Sequence, residues 1–295
     1  MTQTDPILCI GSALWDIIAR TERPMKPGYD VPGQIDRQLG GVALNVALAI
    51  RAHGLQAAVL TAIGEDPDGD SLIAALAEAG IDMRYATRVS DPTDSYMAIE
   101  SQGDVFAAVA DCVTLERAGD TIVAPLRDGT LAAADRPWRG AVVIDGNLSE
   151  EVLFSISAHH DLRHASMYLV PASPGKAERM RRVLRRGEGT IVVNIHEAGI
   201  LCQEEFRTST DAALGLRALG AQRAIVTNSA RTACLAEEAG LVERDPPPVV
   251  PRTATGAGDA FLAGFICAEV RGATSADALD AAIASAAAHI SQESP

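Results

Sequence analysis

The chain has 295 residues, of which 47% are apolar and 22% charged, and its formal net charge is −14. That length fits one large α/β domain or two small ones, and the composition is that of a globular protein. So acidic a chain lacks the basic face that nucleic-acid binding requires, and no stretch reaches the ~18 consecutive apolar residues of a membrane span, so neither partner is expected.

Ile7-Leu8-Cys9-Ile10-Gly11 is a short apolar run closed by glycine, the pattern of a buried parallel strand. Val42 to His53 has helical periodicity with Gly54 placed to end it, Ala58 to Gly64 reads as a strand, and Ser71 to Ala79 as a helix closed by Gly80. The alternation resumes with strands at Ala141–Ile144, Met167–Val170, Thr190–Asn194 and Ala224–Thr227, and with helices after Ser149 and over Asp211–Leu219. Strand and helix in turn imply a parallel sheet covered on both faces. Two extended segments interrupt it: Val31 to Gln38, and a hairpin of Ser95–Glu100 with Val105–Val109 around Ser101-Gln102-Gly103-Asp104. They predict a small accessory sheet acting as a lid, so the expected organisation is one domain over 1–295 with lid segments at about 28–39 and 93–111. Arg179, Arg182 and Arg186 fall at helical spacing and read as a solvated helix face. Cys9, Cys112, Cys202, Cys234 and Cys267 are scattered without a CxxC pair, and the first residues carry no signal-peptide pattern; a cytoplasmic protein with free thiols is expected.

Thr255-Gly256-Ala257-Gly258-Asp259-Ala260-Phe261 opens directly into an apolar helical run. Glycines at a helix mouth let backbone N–H groups crowd an anion at the positive end of the helix dipole. An aspartate beside that anion would repel it, but is well placed to take a proton from a hydroxyl attacking phosphorus. Asp16 follows the first strand, where α/β sheets place ligand contacts, though a helix-capping Asp would look the same. Asn45 is a polar amide in an otherwise apolar helix behind Gly40-Gly41. Asn194 and Glu197 share a face in one helical turn and could organise a Mg²⁺–water shell or simply cap a helix. Asp145 and Asn147 close another strand on the same side.

These positions, in this order and at this spacing, resemble the ribokinase-like PfkB family of sugar and nucleoside kinases over nearly the whole chain. The resemblance implies a three-layer α/β/α sandwich with a mainly parallel central sheet and a small β-sheet lid. Within the family the chain is most similar to pseudouridine kinases, on Pro32-Gly33-Gln34-Ile35 leading into Gly40-Gly41-Val42, Thr93-Asp94-Ser95-Tyr96 and Asp145-Gly146-Asn147-Leu148-Ser149-Glu150-Glu151. It implies that Asp259 is the base for a 5′-hydroxyl, that the N–H groups of Gly256, Ala257 and Gly258 stabilise the transferring phosphoryl group, and that Asp16 binds ribose hydroxyls beside Gly40, Gly41 and Asn45. Ser95, Asp111 and Asn147 would complete the substrate side. Asn194 and Glu197, the latter through water, would position Mg²⁺ and ATP, with Thr227, Asn228 and Thr255 at the nucleotide and Ala286 and His289 flanking adenine. A homodimer paired through the lid is implied as well. Two departures stand out: Thr253-Ala254 replaces the Asp-Thr that supports a monovalent cation, leaving K⁺ dependence open, and Asn228-Ser229-Ala230-Arg231-Thr232 replaces a glycine-rich nucleotide loop. Competing expectations are a kinase of another ribonucleoside or sugar, and a non-catalytic nucleoside-binding regulator.

Overall fold

The structure, a computed structural model, describes residues 5–102, 104–133, 135–250 and 256–291. In chain order the strands and helices are β1 (Ile7–Ile10), β2 (Leu14–Thr21), β3 (Gln34–Gly40), α1 (Val42–Ala52), β4 (Ala57–Leu60), β5 (Ala62–Gly64), α2 (Pro67–Glu78), β6 (Thr87–Val89), β7 (Ser95–Ser101), β8 (Asp104–Asp111) and α3 (Val113–Ala118). There follow β9 (Ala141–Asp145), α4 (Glu150–Ser157), β10 (Ser166–Val170), α5 (Arg181–Leu184), β11 (Thr190–Asn194), α6 (Ile195–Cys202), α7 (Ser209–Leu219), β12 (Arg223–Asn228), β13 (Arg231–Glu237), β14 (Gly240–Arg244), α8 (Ala257–Val270) and α9 (Ser275–Ile290).

The main sheet runs β14-β13-β12-β11-β10-β9-β1-β4, parallel from β12 to β4 and antiparallel at β13 and β14. Successive side chains of a strand point to opposite faces, and here both faces are covered. Leu8 and Ile10 of β1 join the core formed with Leu153, Leu184, Leu201 and Leu216. Ile7 and Cys9 join the other, formed with Leu44, Leu72, Phe265 and Leu279. This is the expected three-layer sandwich, with α1, α2, α8 and α9 on one face. Among the described residues no helix is long and apolar enough to cross a membrane.

A second sheet, β3-β2-β7-β8, stands beside the carboxyl ends of the main strands. Its register aligns Gln38, Asp16, Tyr96 and Ala110 across the four strands. Leu14–Thr21, expected only as the approach to a ligand contact, is thus a full strand, and it supplies the centre of this sheet. The strand expected over Ala58–Gly64 is two: β4 stays in the main sheet while β5 pairs with β6, the chain changing sheets at buried Thr61. Helix α2 begins four residues before the expected Ser71, because Pro67 occupies its first turn and Asp66 caps it. The expected solvated arginine face is engaged instead. Arg179 donates to Glu116 Oε1 at 2.7 Å and to the carbonyls of Asn147 and Leu148 at 3.1 Å, while the Arg182 guanidinium lies 3.8 Å over the Phe154 ring.

Asp66 also ties the start of α2 to the segment that leads into the second sheet. Its carboxylate accepts the Gly69 N–H at 2.7 Å, and it accepts the Thr93 hydroxyl at 2.6 Å and the Thr93 N–H at 2.8 Å, just before β7. Asp66→Ala is expected to cost about 1–2 kcal/mol in urea-induced unfolding, a typical loss for a helix cap. An unchanged unfolding midpoint would show that the cap and the link carry no stability.

Candidate active site

Asp145, at the end of β9, is fully buried. It accepts the Ser12 N–H at 2.8 Å, the Ser12 hydroxyl at 2.5 Å, the Ala43 N–H at 3.3 Å, and the Asn147 N–H and Nδ2 at 2.8 and 3.0 Å. Ser12 Oγ in turn accepts the Val42 N–H at 2.9 Å. The loop after β1, the start of α1 and the turn after β9 are thereby pinned to one carboxylate. Gly41 enters α1 at φ +100°, a left-handed-side conformation, and a Cβ there would lie 2.5 Å from the Ser12 carbonyl oxygen. A Cβ on Gly40 would land 2.1 Å from the Asp16 carboxylate carbon, so the glycine makes room for that side chain.

Around this hub opens a cleft of about 420 Å³. Asp16, Gly41, Asn45 and Asn147 line it together with Asn194, Glu197, Thr227, Gly256, Gly258 and Asp259. The strand ends meet there as α/β topology dictates. Gly40, Ala257, Ser95, Asp111, Asn228, Ala286 and His289 are not among its lining residues, and Thr255, Thr253 and Ala254 lie outside the described residues. For Ser95 and Asp111 the reason is the pleat: they pair with each other one residue away from the Tyr96–Ala110 row, which does line the cleft. Asn228 turns away into a two-residue hairpin with Arg231. The His289 ring lies against Gly256, behind the helix mouth, and Ala286 packs on the core. Tyr96, Cys112 and Lys176 line the cleft and were not anticipated; period-two counting along β7 would have found the first.

Two carboxylates are held near neutrality. Burial pushes Asp16 up to about 6. Asp259, on the first turn of α8, is pushed up to about 7, chiefly by burial; a hydrogen bond with the Asn45 side chain opposes this, and the charges of Asp145 and Asp16 add to it. Asn194 and Glu197 form a reciprocal capping box, the Glu197 N–H on Asn194 Oδ1 and the Asn194 N–H on Glu197 Oε2, both at 2.9 Å. Side chains cap α2, α4, α6, α7 and α9, Ser12 with Asp145 satisfies α1, and Asp94 accepts the Thr114 and Leu115 N–H groups of α3; among the described residues no side chain caps the amino terminus of α8. Gly256 and Gly258 of this terminus line the cleft, and a helix start is where backbone N–H groups can take an anion.

The model of the pfkB family of carbohydrate kinases matches residues 4–295. The chain belongs to the pfkB family. A pfkB kinase is an ATP-dependent phosphotransferase with an alcohol acceptor on a small molecule, and the open α8 terminus beside Asp259 suits that chemistry. The chain is 24% identical to the uncharacterized sugar kinase YeiI of Escherichia coli (strain K12), over 97% of this chain and 78% of that protein. It is 28% identical to the pseudouridine kinase of the same organism, over 38% of this chain and 36% of that protein. The fold of this pfkB kinase superposes on Arabidopsis thaliana ribokinase complexed with ribose and ATP with a TM-score of 0.78, at 19% identity, covering 98% of this chain and 94% of that one.

A carboxylate whose folded pKa lies above its unfolded value costs stability as pH rises between the two, because the unfolded state then releases a proton that the folded state still holds. Asp259→Asn, which removes that charge, is expected to raise Tm, by more at pH 8 than at pH 5. Melting curves of both proteins at the two pH values check this, and an equal shift at both would mean Asp259 pays no burial cost.

Proposed function

We propose that the chain phosphorylates the 5′-hydroxyl of pseudouridine, using ATP and Mg²⁺. The observation that carries the kinase chemistry is the uncapped amino terminus of α8 with Asp259, pushed up to about 7, on its first turn. A base poised near neutral pH suits proton abstraction from an alcohol. Asp259 takes the proton of the attacking hydroxyl while the N–H groups of Gly256, Ala257 and Gly258 donate to the oxygens that gain charge. Asp16, Gly41 and Asn45 hold the ribose hydroxyls, Gly40 leaving room for the Asp16 carboxylate, with Asn147 beyond them. ATP supplies the phosphoryl group, and Mg²⁺ offsets its charge. Among the described residues no cluster of three or more His, Cys, Asp or Glu side chains could cage a metal. Asn194 and Glu197 would hold Mg²⁺ through water, where it would offset the charge of the phosphates. Thr227 lies at the nucleotide end.

In this reading the whole chain is one domain and β3-β2-β7-β8 is its lid, lowering Asp16 and Tyr96 onto the substrate and excluding the water that competes as acceptor. The pseudouridine assignment rests on the sequence stretches around Gly40, Ser95 and Asn147 and on the partial match to a pseudouridine kinase. The competing reading, a sugar acceptor, draws on the longer match to YeiI. Steady-state assays of ATP with pseudouridine, uridine, adenosine, inosine, ribose and fructose separate them: pseudouridine is expected to give the highest kcat/KM, and Asp259→Asn to lower its kcat by roughly 10²–10⁴-fold. Turnover of ribose without pseudouridine would remove the assignment; nucleoside binding with no ATP turnover would favour a regulator.

The lid's other face presents Ile35, Met97 and Val109 to solvent, Met97 and Val109 opposite each other in register. We place a homodimer contact on this apolar face. Light scattering after size exclusion is expected to give twice the chain mass for the wild type and the chain mass for Val109→Asp; equal masses would refute lid pairing.

A further inference from the structure

Lys176 is the one lysine or arginine among the described residues that line the cleft. It sits on a 3₁₀ turn over Pro174–Met180, just after β10. No carboxylate of the described residues lies within ion-pair distance of it. Its Nζ donates instead to Asn147 Oδ1 at 2.5 Å and lies 3.8 Å from Cys112 Sγ, a thiol that burial pushes up to about 11 and keeps neutral. The direction of the Asn147 amide is dictated from below: its Nδ2 donates to Ser12 Oγ at 2.9 Å and to Asp145 Oδ1 at 3.0 Å, so its oxygen must face the lysine. Arg179 fixes the same turn by holding the Asn147 and Leu148 carbonyls. A chain from Asp145 through Asn147 therefore holds the ammonium at the seam between the two sheets.

An ammonium carries three N–H donors and no acceptor. Asn147 takes one and Cys112 Sγ, at 3.8 Å, a second, which leaves one donor for a ligand in a cleft that Leu14, Ala110 and Val170 also line. The group it awaits must be an acceptor. A carboxylate or phosphate on the acceptor substrate would bring a full negative charge into a cleft already lined by Asp16, Glu197 and Asp259. A neutral carbonyl carries no such penalty. Asp16 asks for the opposite partner, a hydroxyl donor. A free pentose or hexose ring offers hydroxyls but no carbonyl, whereas a nucleoside with an oxo-base offers both.

We propose that Lys176, oriented by Asn147, binds a ring carbonyl oxygen of the substrate's base and so selects an oxo-pyrimidine nucleoside over a free sugar. The assignment rests on the nucleoside reading given above and deepens it. Lys176→Met keeps the length of the side chain and removes its donors. With pseudouridine as the varied substrate, the variant is expected to raise KM, and the calorimetric dissociation constant, by about tenfold, the usual scale for a hydrogen bond to a charged group. Its kcat, KM for ATP and Tm are expected to stay near the wild-type values. Pseudouridine analogues lacking one ring carbonyl each supply the second measurement. One of them is expected to lose the same factor with wild type and to lose nothing further with Lys176→Met.

A rise in KM for ATP would put the lysine on the nucleotide phosphates and overturn the assignment, as would a fall in Tm with equal losses for all analogues, the mark of a structural role. If wild type phosphorylates pseudouridine and Lys176→Met leaves its KM unchanged, the lysine assignment falls while the nucleoside reading stands. If wild type accepts only free sugars, the nucleoside reading falls first and the lysine assignment with it.

Discussion

The cleft depends on one buried carboxylate. A charge taken out of water is tolerable only when its oxygens are saturated with hydrogen bonds. Asp145 meets that demand by drawing donors from the loop after β1, the start of α1 and the turn after β9. These are the segments that carry the cleft's side chains. Asp16 lies four residues beyond Ser12, Asn45 two beyond Ala43, and Lys176 is reached through Asn147. The carboxylate acts a second time through its field, helping to raise Asp259. The carboxylate that sets position at this site thus also adds to the effect of burial on the proton affinity of Asp259.

This has a cost. Burial and the charges of Asp145 and Asp16 all raise Asp259, and only Asn45 is seen to pull it the other way. Elsewhere the chain obeys the rules of stability closely, with Asp66, Ser149, Asn194, Thr208 and Thr274 each closing a helix start. Among the described residues no side chain closes the α8 start, the point where an anion would use it. Local rules broken together, at one place, in a fold otherwise consistent with them, are the physical mark of a working site.

The layers of the main sheet were legible because buried parallel strands are short apolar runs and because glycines end the helices between them, as Gly54 and Gly80 do at positive φ. The chain's change of sheet at Thr61 was not, since an unbroken apolar run looks the same whether or not its pairing partner changes. β2 was hidden for a related reason. Its residues Leu14, Trp15 and Asp16 draw notice as a ligand motif, while its partners, β3 and β7, lie far along the chain. Asp16, Asn45, Asn147 and Asp259 were legible at the cleft because each is polar where its surroundings are apolar. Ser95 in place of Tyr96 was an error of one residue, which in a strand is an error of face. Lys176 carried no local signal at all: a lone lysine becomes notable only when the fold brings Asn147 and Cys112 to it.

The nucleotide end shows how one change in sequence shifts the burden to another element. Where the family resemblance leads one to expect glycines, Asn228 and Arg231 pair across a two-residue turn in which Ser229 takes φ +51°. A hairpin this tight has its backbone groups committed to the antiparallel ladder and little freedom to approach a phosphate. Of that stretch only Thr227, before the turn, faces the cleft. Under the proposed reading, phosphate contacts must then come mainly from the free N–H groups at the α8 mouth. Those groups are aimed by α8 itself, whose Phe261 to Cys267 are buried without interruption against α1 and α9. On that reading the anion site would be built on a helix anchored along Phe261 to Cys267, and would take over what the family resemblance assigns to the glycine loop.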